Sequence, residues 1–128
     1  MAPPLWVADF VAVVSAARPL IDTAKVTGLN SNKVLAAIKP GLAALGYTVE
    51  DPVTKRKLRR TVLFGENGIA EVRYDVDAVH DQLGVVVEIE AGRGAWGNAL
   101  YRDLIRASLI VETQFLVIGM MQTYRHRI

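Results

Sequence analysis

The chain of 128 residues is long enough for one compact domain and leaves little room for a second. Hydrophobic residues make up 52% and charged residues 22%, the balance of a soluble globular protein, and the absence of cysteine excludes disulfides and thiolate metal sites. No apolar run approaches the ~18 residues of a membrane span and no basic segment precedes the first apolar stretch, so we expect a cytoplasmic protein without a signal peptide or membrane contact.

Residues 1–27 are predicted to form an N-terminal helical extension. Pro3-Pro4 can open a helix, apolar residues recur at roughly helical spacing from Leu5 to Ala17, and Arg18-Pro19 breaks or kinks the run. We expect this region to pack rather than to carry chemistry.

A longer helix is predicted from about Asn32 to Leu45. Ser31 ends the preceding loop as a candidate N-cap, and Gly46 is a candidate for the C′ residue. Pro40 lies inside this helix and predicts a kink or a break at the preceding residue.

The remaining pattern predicts a mixed sheet. Apolar and β-branched runs bounded by turn signals predict strands at Tyr47–Glu50, Thr61–Phe64, Ile69–Val79 and Gly84–Ala91. A helix from about Asn98 to Glu112 and an apolar strand at Phe115–Ile118, expected in the interior, complete the chain. The connection between the last two strands has the length of a βαβ crossover, so these strands should be parallel neighbours.

The fold class is therefore α/β, or α+β, in one domain spanning 1–128. A sheet of four to five strands would be flanked by helices in the order α-α-β-β-β-β-α-β, with residues 32–121 as the core. In the last helix, the apolar positions expected to pack are Leu100, Leu104, Ile105, Leu109 and Val111.

Four carboxylates are predicted on one face of a hairpin. If the turn is centred between Gln82 and Leu83, antiparallel pairing places Asp77 opposite Glu88 and Asp75 opposite Glu90. Like charges directly across a ladder destabilise it, so this arrangement favours a cation between them. The alternative is a solvated polar sheet face, neutralised by salt bridges to the basic run at residues 55–60.

Carboxylates and backbone carbonyls are the ligands that suit Mg²⁺ or Mn²⁺. Asp77 and Glu88 are the first candidates for metal ligands, and Ile89 could add its backbone carbonyl. A third carboxylate nearby could orient or deprotonate a metal-bound water, so the predicted chemistry is hydrolysis of a phosphodiester. Asp75 competes with Asp77, and Glu50 is a candidate accessory acid.

An acidic residue on one strand, a hairpin, and Glu88-Ile89-Glu90 on the next strand resemble the PD-(D/E)XK signature of the restriction-endonuclease-like nucleases. On this resemblance Asp77 matches the aspartate of the motif, Glu88 its (D/E) and Glu90 its terminal position. Most members have lysine there, while some restriction enzymes have Glu or Gln, and Val76 stands where the motif has proline. The core of the superfamily runs helix, three strands, helix, strand, similar to the predicted order here. The resemblance implies a restriction-endonuclease-like core and metal-dependent nuclease activity.

Two groups of residues are candidates for contacts with nucleic-acid phosphates, with DNA favoured over RNA. A basic run precedes the second strand, and polar residues follow the acidic strand where a helix N-terminus can attract anions. The candidates are Lys55, Arg56, Lys57, Arg59, Arg60, Arg93 and Asn98. A solvated loop and a plain glycine-rich linker are the alternatives for the two groups.

The predicted function is that of a Mg²⁺-dependent endonuclease, most simply a deoxyribonuclease. Its rivals are a domain of the same fold that binds nucleic acid without cutting it, and a structural or assembly domain with an acidic sheet face. So small a chain would act on a structured, damaged or tethered substrate, or pair as a homodimer through Trp96 and the N-terminal helix.

Overall fold

The computed structural model describes residues 2–51, 58–64, 66–68, 70–90 and 99–121. Its helices are α1 (Leu5–Ala16), α2 (Arg18–Ile21), α3 (Ser31–Ala44) and α4 (Ala99–Leu109). Its strands are β1 (Thr48–Val49), β2 (Leu58–Phe64), β3 (Ala70–Val76), β4 (Ala78–His80), β5 (Val85–Glu90) and β6 (Phe115–Met120).

The described strands form a four-stranded mixed sheet and a separate hairpin. The sheet has the order β1-β4-β5-β6, and among the described strands β2 pairs only with β3. β1, β4 and β5 are antiparallel neighbours, whereas β5 and β6 are parallel, as predicted for a βαβ unit. The mixed α/β class is thereby confirmed. β6 lies at an edge of this sheet with half-buried side chains, so its predicted interior position is wrong.

Local turn chemistry fixes both ends of α3. The side chain of Asn30 accepts a hydrogen bond from the Lys33 amide at 2.9 Å, so the N-cap is Asn30 and not the predicted Ser31. At the other end Gly46 has φ +94°, its amide donates to Ala43, and the Tyr47 amide donates to Leu42. These two bonds are those of a Schellman motif, which confirms Gly46 as the C′ residue.

Of the kink or break predicted at Lys39, the break is absent, because α3 runs through Pro40 as one helix. Proline inside a helix costs about 3 kcal/mol. α3 offsets this cost through a stripe of almost fully buried side chains, Leu35, Ile38 and Leu42, which lie on both sides of the proline in sequence.

The central strand β5 contributes to two cores, one on each face of the sheet. Val85, Val87 and Ile89 face a core that α1 and α3 complete with Phe10 and Leu35, among other residues. Val86 faces the other core, together with Val76, Val79 and Ile110. Because side chains alternate along a strand, Glu88 and Glu90 lie on the same face as Val86.

The outer surface of α4 is apolar, which corrects the predicted packing of this helix. Ala107 and, just beyond the helix, Ile110 are buried. Four of the five residues expected to pack, Leu104, Ile105, Leu109 and Val111, are instead exposed, and the side chain of Leu100 lies outside the described part of the chain. The helical periodicity was therefore assigned to the wrong side of the helix, since the same spacing describes an apolar stripe whichever way it faces.

Candidate carboxylate site

The pairing of β4 with β5 has the register predicted from the sequence. His80 faces Val85, Val79 faces Val86 and Ala78 faces Val87, so the turn at residues 81–84 is centred between Gln82 and Leu83. Gly84 closes this turn with φ +67°. The turn that joins β4 and β5 thus sets which residues of these two strands face each other.

The predicted single strand from Ile69 to Val79 is split at Asp77. The amide of Asp77 donates to the Val87 carbonyl at 3.2 Å, although Val87 is already the partner of Ala78. Two residues of one strand therefore face one residue of the other, which is a β-bulge. On the N-terminal side of the bulge the chain leaves β5, and β3 pairs with β2 instead.

The bulge directs the carboxylate of Asp77 towards β5. Its Oδ2 accepts a hydrogen bond of 2.7 Å from the Ile89 amide, and the Asp77 carbonyl accepts one of 2.8 Å from the Glu50 amide. Asp77 is thereby held between β1 and β5 by both its backbone and its side chain. This position brings it to Glu88 and Glu50 together.

The carboxyl group of Asp77 interacts with that of Glu88 and with that of Glu50. Burial raises the pKa of the Asp77 carboxyl above its usual range, a hydrogen bond from the Ile89 amide and one shared with Glu88 oppose the rise, and Glu50 adds to it. A cation bound beside Asp77 and Glu88 would stabilise the negative charge of these carboxylates.

Asp75 lies apart from this cluster. Across the β2–β3 hairpin it faces Arg59, whose Nε lies 3.3 Å from its Oδ1. The predicted pairing of Asp75 with Glu90 is wrong, because β3 leaves β5 at the bulge. This ion pair resembles the salt-bridged polar face that was the alternative to a metal site, whereas the role of Asp75 as an accessory acid stays a prediction.

Glu90 and Ile89 complete the predicted motif at the end of β5. Ile89 is buried and faces the α1–α3 core, while the half-buried Glu90 is on the face of Glu88. In the parallel pairing with β6, Glu88 faces Ile118 and Glu90 faces Met120.

The two described basic candidates for nucleic-acid contact both have acidic partners. Arg59 pairs with Asp75, and Arg60 binds both carboxylate oxygens of Asp81 at 3.1 and 3.3 Å. Both arginines belong to β2, which begins three residues before the predicted Thr61 because cross-strand pairing extends it. The other candidates, Lys55, Arg56, Lys57, Arg93 and Asn98, lie outside the described residues, as does Trp96.

The donor chemistry of the cluster fits a hard divalent cation, since every side-chain ligand is a carboxylate oxygen. Within the described ranges, no group of three His, Asp or Glu side chains is arranged to hold a metal ion by itself. Mg²⁺ is usually bound by one or two carboxylates together with water and substrate phosphate rather than by a complete protein cage. Asp77 and Glu88 fit that smaller ligand set.

Two features of this site have little signal in the sequence. Glu50 had no motif to mark it, and its place beside Asp77 follows from the pairing of β1 with β4. Next to it, Oδ2 of Asp51 lies 4.0 Å from Nζ of Lys39 in α3, so the chain after β1 passes close to that helix. Neither contact has a local sequence signal, because both depend on sheet topology.

Comparisons of the chain with models of known protein families, with curated proteins and with solved structures give no significant match. None of the helices in the described ranges has the length and hydropathy required to cross a membrane.

Proposed function

We propose that the protein is a metal-dependent phosphodiester hydrolase acting on nucleic acid, most simply an endonuclease of DNA. One observation supports this function above the others: a bulge holds Asp77 on the Ile89 amide and beside Glu88 of the neighbouring strand. A bulge that re-aims a buried acid towards another acid costs stability unless the pair has a ligand.

Asp77 and Glu88 would bind Mg²⁺ or Mn²⁺, with the carbonyl of Ile89 as a further ligand. When bound, the metal would stabilise charge on the phosphoryl oxygens and lower the pKa of a coordinated water. Glu90 and Glu50 are the remaining acids near the pair, and either could orient the attacking water or accept its proton.

The order of elements also supports the restriction-endonuclease-like assignment. α3, the sheet strands β1, β4 and β5, then α4 and β6 follow the order helix, three strands, helix, strand. The β2–β3 hairpin is inserted between the first two of these sheet strands. In this assignment Glu90 occupies the motif position that most members fill with lysine.

Incubation of supercoiled plasmid with Mg²⁺ tests the activity. We expect nicking that falls at least ~100-fold in Asp77→Asn and in Glu88→Gln, the scale of loss typical of a removed acid–base or metal-binding group. Asp75→Asn is the matched control. It removes the same charge two residues from Asp77, but from a side chain that pairs with Arg59 outside the cluster. If Asp75→Asn alone abolished nicking, the site assignment would be wrong.

Binding without cleavage would identify the first rival, a nucleic-acid-binding domain of the same fold. Gel-shift titrations of single- and double-stranded DNA and RNA, repeated at several salt concentrations, distinguish the partner and count phosphate contacts from the salt slope. Arg59 and Arg60 would have to exchange Asp75 and Asp81 for phosphates, and each phosphate contact so formed adds about one released counterion to the salt slope.

Calorimetric titration with Mg²⁺ separates the proposed site from the second rival, a structural domain with an acidic face. The Arg59–Asp75 and Arg60–Asp81 pairs favour that rival, since they neutralise two of the acids. We expect Mg²⁺ binding that Glu88→Ala abolishes and Asp81→Ala retains. Absence of any metal binding would support the structural domain.

A further inference from the structure

An apolar cavity of about 460 Å³ lies between the helices and the sheet, on the face opposite the carboxylates. α1 and α3 supply one wall, with Val14 and Val34 among its residues. β5 and β6 supply the other wall through Ile89, Val117 and Gly119. The cavity therefore lies between the helices and strands whose side chains form the core on this face of the sheet.

The charged side chains at this cavity are one arginine and one aspartate. Arg18 and Asp22 form an ion pair with Nε 3.8 Å from Oδ2, and Oδ1 of Asp22 accepts a hydrogen bond from the Ala24 amide at 2.9 Å. Thr23 is the remaining polar lining residue. The entrance consequently carries no net charge that would select an ionic ligand.

We infer that this cavity is a binding site for a neutral, mainly apolar small molecule. Its volume falls within the ~300–1,000 Å³ of typical ligand pockets, and its walls are predominantly hydrophobic, as such pockets are. Water gains little there, because it needs two to four polar partners. An apolar molecule would make dispersion contacts there with the surrounding side chains.

The same residue contacts this site and the carboxylate cluster. The side chain of Ile89 lines the cavity, while its amide donates the 2.7 Å hydrogen bond to Asp77 on the strand beside it. Gly119 leaves room there, since a Cβ atom on it would lie only 2.8 Å from Cδ1 of Ile89. A ligand in the cavity would therefore contact the residue that positions Asp77.

The test uses the neutral fluorescent probe N-phenyl-1-naphthylamine with the full chain. We expect saturable enhancement with one probe per chain. Val14→Phe, which fills the cavity from α1, should weaken binding at least tenfold, whereas Val11→Phe should not, because Val11 lies on the same helix with an exposed side chain. Val34→Phe repeats the test from α3 if the first variant fails to fold.

Amide chemical shifts of the isotope-labelled protein locate the bound probe. Probe addition should shift the amides of Ile89 and Gly119 and leave those of exposed α4 unchanged. Non-saturable fluorescence, equal binding by the cavity-filling variants and Val11→Phe, or shifts confined to exposed surfaces would each overturn the assignment. Neither measurement requires metal or nucleic acid, so the outcome is independent of the proposed nuclease activity.

Discussion

The environment of Asp77 disfavours the charged form of its carboxyl group. Burial and the neighbouring Glu50 raise its pKa, and the Ile89 amide recovers only part of the lost solvation. Because the pKa in the folded state lies above the unfolded value, the protonated form contributes stability that is complete below the unfolded pKa of about 3.9. That contribution is lost as the pH rises through the raised pKa.

Asp77→Asn should therefore stabilise the metal-free protein at neutral pH relative to the original chain. Asparagine keeps an oxygen that can accept from the Ile89 amide, and it carries no charge to desolvate. We expect urea unfolding to show this gain at pH 7 and its decrease towards pH 4, where Asp77 itself becomes neutral. A stability gain over the original chain that is smaller at pH 7 than at pH 4 would contradict the prediction.

Glu112 has a backbone conformation that costs free energy. It has φ +67°, the left-handed region that non-glycine residues adopt at a cost of about 1–2 kcal/mol. It lies in the connection from α4 to β6, where the amides of Gln114 and Phe115 both donate to the Gly84 carbonyl. These bonds anchor the connection to the β4–β5 turn and maintain the strained residue.

Glu112→Gly should raise the free energy of unfolding by about 1 kcal/mol, because glycine adopts this conformation without strain. Glu112→Ala is the control, since it removes the side chain but keeps the strain. Thermal or urea unfolding measures both. Equal stabilisation by alanine and glycine would assign the gain to the lost carboxylate instead of the backbone.

At the scale of elements, features set by local chemistry could be predicted from the sequence. The turn centred between Gln82 and Leu83 fixes the β4–β5 register, and Gly46 ends α3 as expected. The bulge at Asp77 could not be predicted, because it arises where β3 leaves β5 to pair with β2, a choice between distant partners. Glu50 joins the site for the same non-local reason.

The end of α3 provides a test of such local chemistry. Gly46 has φ +94°, and a Cβ atom added to it would lie 3.0 Å from Nε2 of His80. Gly68 has a similar φ of +72° with nothing within 4 Å of an added Cβ. The two glycines thus share the backbone requirement and differ in the space around them.

Gly46→Ala should lower the free energy of unfolding by more than the ~1–2 kcal/mol of left-handed strain, and Gly68→Ala by about that strain alone. The excess measures the displacement of His80, whose Nδ1 accepts a hydrogen bond from the Leu83 amide in the β4–β5 turn. Chemical denaturation of both variants gives the difference. Equal losses would show that His80 moves at no cost.

At the scale of the whole molecule, the outer face of α4 is the largest departure from the predicted packing. Tyr101, Leu104, Ile105 and Leu109 follow helical spacing and are all exposed. A contiguous apolar stripe of this kind marks an interaction surface more often than a scattered exposed residue does. The sequence could not indicate the direction of the stripe, because periodicity defines a face without naming its partner.

A homodimer through α4 is the simplest use of this stripe. Four exposed side chains are few compared with the roughly 20–30 residues that each partner contributes to a standard interface. We therefore expect weak, concentration-dependent dimerisation in sedimentation velocity, with micromolar rather than nanomolar affinity.

Ile105→Glu should abolish that dimer without unfolding the chain, because Ile105 is 61% exposed and a glutamate there is solvated in the monomer. Val11→Glu introduces the same charge on α1, the helix first considered for pairing, at a residue that is 55% exposed. Retained dimerisation in Val11→Glu and its loss in Ile105→Glu would assign the interface to α4. The reverse result would assign the interface to α1. A monomer at every concentration would show that the stripe does not pair two copies of the chain.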